Sequence, residues 1–238
     1  MTGRGVTEPA GLGQCTSGEL TATVPTLVVP VGSVEQHGPH LPLDTDTRIA
    51  TALARTLADH LGCLLAPAIA YGASGEHQGF PGTVSIGTEA LTAVLVEYGR
   101  SACQWAARVV FVNGHGGNVE ALRSATAALR GEGRDVAWIS ACRDAVDAHA
   151  GHTETSLLLH LWPQTVRTDR LAAGNTEPLA DLMPRLRRGG VAAVSASGVL
   201  GDPTTAAAAD GARIFADMVA GCLRLLRQWT PGPDGMLT

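Results

Sequence analysis

"TLVVPVGSVEQHGPHLPLDTD", residues 26–46, runs from an apolar stretch into five groups able to hold metals or protons: Glu35, His37, His40, Asp44 and Asp46. Its first part, "TLVVPVG" (26–32), has the marks of a buried parallel strand, being short, rich in β-branched residues and closed by a glycine. Unpaired charge is costly to bury, so a cluster of this kind directly after such a strand reads as a site. Glu35 and His37 stand two apart and share a face wherever the backbone is extended.

The same alternation continues along the chain. Apolar runs at 64–70, 108–114 and 135–141 predict further parallel strands, and amphipathic stretches at 46–61, 88–106, 118–131, 153–162 and 204–229 predict helices. A series of strand, crossover helix and strand predicts an α/β fold, a single-domain three-layer αβα sandwich with a mostly parallel sheet. In such sheets ligands sit beyond the carboxyl ends of the strands. The chain of 238 residues fits one core. We expect a flexible N-terminal segment over 1–20, a catalytic domain over 21–230 and a C-terminal tail over 231–238. The Gly-rich stretch 71–87, "YGASGEHQGFPGTVSIG", reads as a loop covering the site, and 171–202 reads as loop-rich.

A net charge of −5 argues against a nucleic-acid or anionic-membrane binder, which would need clustered Lys and Arg. No run approaches the ~18 apolar residues of a membrane span, and the first twenty residues lack the apolar stretch of a secretory signal. The expected protein is cytoplasmic, with a small molecule or peptide as substrate. Five widely spaced cysteines without a C-x-x-C pair argue against a disulfide framework or a zinc knuckle. A charged fraction of only 16% leaves surface for subunit interfaces.

Two more strand ends carry polar clusters. "NGHGGN" (113–118) follows the third strand, its glycines letting the backbone turn while His115 projects; "DAHAGHTETS" (147–156) follows the fourth and supplies His149, His152 and Glu154. Glu35, His37 and Asp46 from one loop, His115 from a second and Glu154 from a third form a donor set suited to Zn, Mn or Fe(II), with no thiolate needed. His40, Asp44, Glu76, His77 and His152 are equally compatible with supporting or substrate-orienting roles. His60 and His160 lie on helices and read as structural. A non-catalytic metal binder, or a phosphate cradle built on "NGHGGN", is the alternative of another class; the second lacks both glycine-rich phosphate-loop spacings.

The motifs "GSVEQHGPHLPLDTD", "EHQGFPGT", "NGHGGN", "HAGHTETS" and "GVLGDPT", in that order over roughly residues 24–230, resemble the creatininase family of metal-dependent amidohydrolases. The resemblance implies an α/β homo-oligomer with two divalent metal ions per chain (Zn, Fe(II) or Mn). It makes Glu35, His37, Asp46, His115 and Glu154 the ligands, with Asp46 bridging, and His149 the catalytic proton carrier. Glu76, His77 and His152 would then face the substrate. The chain departs from creatininase itself at Gly117, where that enzyme has a ligating glutamate, so Glu154 must replace it. It also has no Trp between Trp138 and Trp162 to enclose a planar ring. The pattern is most similar to the peptidase branch of the family, which trims a modified precursor peptide and releases a fragment made from its C-terminal Val and Tyr. Members acting on creatinine or on a formylamino-pyrimidine are the alternatives.

Overall fold

In the computed structural model, which describes residues 11–20, 24–141 and 147–238, four parallel strands form one sheet in the order β2-β1-β3-β4. They are β1 (Val24–Val31), β2 (Leu64–Leu65), β3 (Ala106–Asn113) and β4 (Val136–Ser140). The long register of β1 with β3, from Val24↔Ala106 to Val31↔Asn113, brings the ends of two central strands level. The loops after both open on the same side of the sheet, as the strand-end argument requires.

Successive side chains of the strands alternate between two faces, and each face is covered. Val28, Val110, Val112, Ala137 and Ile139 pack against helices α1 (Thr45–Leu61), α4 (His152–Leu161) and α6 (Ala208–Gln228). Leu27, Val29, Val31, Val109, Phe111, Val136 and Trp138 pack against α2 (Thr88–Ala102) and α3 (Val119–Gly131). This is the expected three-layer sandwich. Helix α1 buries Ile49, Leu53 and Leu57, spaced one turn apart, and stops at Gly62 in the left-handed conformation (φ 64°). Asp46 lies in its first turn, so the burial of this face fixes the carboxylate at the sheet end.

Three expected elements differ in the structure. The run 64–70 keeps ladder pairing only over Leu64–Leu65, because Pro67 has no N–H to donate. The chain rejoins β1 at Ile69, which donates to Pro30 O at 2.9 Å and accepts from Gly32 N at 2.9 Å. The start of 204–229 is a 3-10 turn, Pro203–Thr205, capped by Asp202, and α6 begins only at Ala208. Within 171–202 lies a helix, α5 (Leu179–Gly189), with Pro184 inside it and Leu182 buried.

The ends are tied to the body where they are described. Residues 11–20 form two 3-10 turns, and the remainder of 1–20 lies outside the described residues. Over 231–238, Leu237 is buried and donates to Trp138 O at 3.0 Å, while Trp138 N donates to Gly235 O at 2.9 Å. The last residues thus cover the free edge of β4. No helix among the described residues is long and apolar enough to cross a membrane.

Candidate metal centre

The loop after β1 brings the Glu35 and His37 side chains into one cluster, and the first turn of α1 brings Asp46 to meet them. His37 Nε2 lies 3.2 Å from Asp46 Oδ1. From the end of β3, His115 points into the same space, with Nδ1 3.2 Å from Asp46 Oδ2 and Nε2 3.1 Å from Glu35 Oε2. A glycine is required at 114, since a Cβ there would run into the Asp46 carbonyl. Glu154, in the first turn of α4, stands 3.8 Å from His37 Nε2 and accepts from the Ala150 N–H at 2.6 Å. His149 closes the cluster, its ring centroid 4.4 Å from that of His37 and 4.4 Å from that of His77.

The set divides into overlapping groups able to hold a cation: Glu35, Asp46 and His115; His37, His149 and Glu154; and Glu35, His77 and His149. Asp46 turns one oxygen to His37 and the other to His115, the placement a bridging carboxylate needs. Glu35 Oε1 is buried without a hydrogen-bond partner, which is costly for a carboxylate unless a cation or proton comes to it. Ser33 Oγ lies 2.9 Å from Glu35 Oε2 and 2.6 Å from Asp46 Oδ2, holding two like charges side by side.

The electrostatics show a demand for positive charge. Burial pushes His37 down, but Asp46, Glu154 and Glu35 outweigh it and draw its pKa up to about 10. His115 is likewise raised well above the ordinary range, with Glu35 and Asp46 overcoming burial. Burial raises Glu154 to about 7, aided by the Asp46 charge and opposed by His37. His149, by contrast, is lowered well below the usual value, first by burial and then by His37 and His77. It stays neutral among charged neighbours. Borderline and hard donors massed in a buried pocket fit divalent cations.

A cavity of about 600 Å³ opens onto the cluster, walled by Glu76 and His77 from the Gly-rich segment and by Leu179, Met183, Leu186 and Arg187 of α5. A second cavity of about 550 Å³ adjoins it past Asp147, Ala148, Leu179 and Leu200. Glu35, His37, Asp46, His115, His149 and Glu154 are thus gathered at one point. Glu76 Oε1 stands at the rim, 3.4 Å from His115 Nε2, and His77 Nε2 lies 3.3 Å from Glu35 Oε1. His152 stands apart, bonded through Nδ1 to Thr205 Oγ1 at 2.9 Å, and lines only the second cavity. His40 bonds Thr155 Oγ1 at 2.9 Å, and Asp44 pairs on the surface with Arg48 at 2.7 Å. Sequence reading passed over Ser33 and Gln36. Ser33 shares the alternation of Glu35 and was open to the same face argument; the partners of Gln36 are too distant in the chain to be foreseen. At Gly117 a Cβ would collide with Ala73 O and His115 Nε2, so no larger residue fits this turn.

Known proteins resemble this chain over most of its length. The creatinine amidohydrolase (creatininase) family model matches residues 14–226. The chain is 65% identical to the mycofactocin precursor peptide peptidase of Mycobacterium ulcerans (strain Agy99), covering 95% of this chain and 94% of that one. It is 30% identical to the creatinine amidohydrolase of Pseudomonas putida, over 86% and 90% of the two chains. A solved structure described as creatininase Mn superposes with a TM-score of 0.77 at 29% identity, covering 93% of this chain and 98% of that one. The chain belongs to the creatininase family.

Proposed function

We propose that this hydrolase cleaves the modified mycofactocin precursor peptide just before its last two residues, releasing the fragment derived from the C-terminal Val and Tyr. The observation that carries this reading is a buried cluster of histidines and carboxylates in a chain 65% identical to a peptidase of that name. The size of the cavity, about 600 Å³, and its continuation into a second one suit a peptide better than a small ring. In our reading Glu35, His37, Asp46, His115 and Glu154 would hold the two divalent cations. Zn, Fe(II) and Mn all suit this donor set.

Bound there, the cations would polarise the amide carbonyl and acidify the attacking water. The chain's own residues supply the rest. His149, neutral through burial, accepts the water proton at Nδ1 and returns it to the leaving amine as the C–N bond breaks. Glu76 and His77 line one wall of the cavity, Glu76 at the rim where it would meet the peptide and His77 buried behind it. His152, lining only the second cavity, would meet a part of the peptide remote from the scissile bond. The reading places the chemistry in residues 21–230. It carries with it a homo-oligomer, supported by a charged fraction of only 16%. It also carries a cytoplasmic location.

The test incubates metal-loaded protein with modified peptide, unmodified peptide, creatinine and a formylamino-pyrimidine, and follows products by mass. Release of the C-terminal fragment from the modified peptide is expected. Creatinine or the pyrimidine as best substrate would overturn the peptide reading, and turnover of none of the four would return the cluster to a binding role.

A further inference from the structure

Gln36 lies between the ligand candidates Glu35 and His37, yet its buried side chain turns to other partners. Two backbone groups of fixed polarity set its amide. Oε1 accepts from the Gly38 N–H at 2.8 Å, and Nε2 donates to the Gly198 carbonyl at 3.1 Å. A Cβ on Gly198 would strike this amide, so the fit is close. Nε2 has one hydrogen left and two imidazole nitrogens in reach, His77 Nδ1 at 2.9 Å and His149 Nε2 at 3.0 Å.

The backbone of Gln36 decides between them. Its carbonyl oxygen lies 2.7 Å from His149 Nε2. A carbonyl only accepts, so His149 Nε2 carries a proton and cannot take one from the amide. The remaining amide hydrogen therefore goes to His77 Nδ1, which must present a lone pair. Neutral His149 then has its free lone pair at Nδ1, and neutral His77 has its proton at Nε2. Both atoms face Glu35 Oε1, at 3.6 Å and 3.3 Å.

We infer that Gln36 is a positioning residue that fixes His149 as a proton acceptor at Nδ1 and His77 as an N–H donor at Nε2, leaving His77 outside the metal set. The group of Glu35, His77 and His149 has the spacing for a cation. For His77 to ligate through Nε2, its proton would have to sit on Nδ1, directly against the amide hydrogen of Gln36. His77 instead turns Nε2 towards the carboxylate of Glu35, 3.3 Å from Oε1, the side from which outer partners commonly orient metal ligands. The part played by His149 rests on the hydrolytic reading above; the two proton positions do not.

The experiment records long-range ¹H–¹⁵N spectra of the full chain loaded with zinc and labelled at histidine, with His77→Gln and His149→Gln for assignment. Both rings are expected as Nε2–H tautomers at neutral pH. In Gln36→Met, which keeps the backbone carbonyl, His149 should keep its tautomer and His77 should lose its single one. The kcat of that variant should fall about 10- to 100-fold with KM and metal content unchanged, the range usual for partners of metal ligands. His77 as an Nδ1–H tautomer or with a zinc-bound Nε2 in the unaltered protein would overturn the inference. So would a Gln36→Met variant unchanged in spectrum and kcat. If no amide is cleaved, the hydrolytic reading fails while the spectra still decide the proton positions.

Discussion

Asp46 and His115, from the first turn of α1 and the end of β3, meet with Oδ2 3.2 Å from Nδ1. The second oxygen of Asp46 is left for His37 at 3.2 Å. No other carboxylate among the described residues touches both histidines so closely, which makes Asp46 the hinge of the proposed centre. Asp46→Asn removes the charge that both cations would share, and elemental analysis should show the loss of both. Asp44→Asn, two residues away but exposed and paired with Arg48, should leave the metal content intact. Greater damage from the Asp44 change would contradict the assignment.

His149 and Glu154 separate catalysis from metal binding. His149→Ala should retain its metals and lose about 10² to 10⁴ in kcat, since it removes a proton carrier. Glu154→Ala should lose metal as well. Loss of metal from the His149 variant would make that imidazole a ligand, which its place in two of the possible cation groups allows geometrically.

Metal uptake should release protons. In protein prepared without metal, the carboxylates hold His37 protonated up to about pH 10 and His115 well above the ordinary range, and Glu154 takes a proton below about 7. A cation needs the lone pairs that those protons occupy. Affinity should therefore rise with pH, most steeply below 7 where Glu154 also competes. Calorimetric titration in buffers of different ionisation enthalpy measures the proton release directly; uptake independent of pH would contradict the ligand set.

The C-terminal segment should contribute to stability. Leu237 is fully buried beside β4, and a buried leucine truncated to alanine costs about 2–5 kcal/mol. Leu237→Ala should lower the denaturant midpoint by a matching amount while leaving the metals in place, because the residue lies away from the ligand loops. An unchanged midpoint would show that the edge of β4 is held in some other way.

The sequence exposed the parts whose physics is local. Short apolar runs rich in β-branched residues marked β1, β3 and β4, the first two closed by Gly32 and Gly114, and charge beyond their ends marked Glu35, His37, Asp46, His115 and Glu154. Elements set by tertiary contact were harder to read. β2 was cut short by Pro67, and α5, although Leu179, Leu182, Met183 and Leu186 recur at helical spacing, carries Pro184 inside it and follows a loop-like stretch, so its proline masked the pattern. Gln36 escaped notice because an amide in a loop carries no signal until folding brings His77, His149 and Gly198 around it.

Metal reconstitution under turnover tests the central claim most directly. Protein stripped by a chelator is titrated with a divalent cation while release of the C-terminal fragment from the modified peptide is followed by mass. Our account predicts no cleavage after stripping and recovery that reaches its plateau at two equivalents per chain. Cleavage that survives complete stripping, or recovery complete at one equivalent, would contradict it.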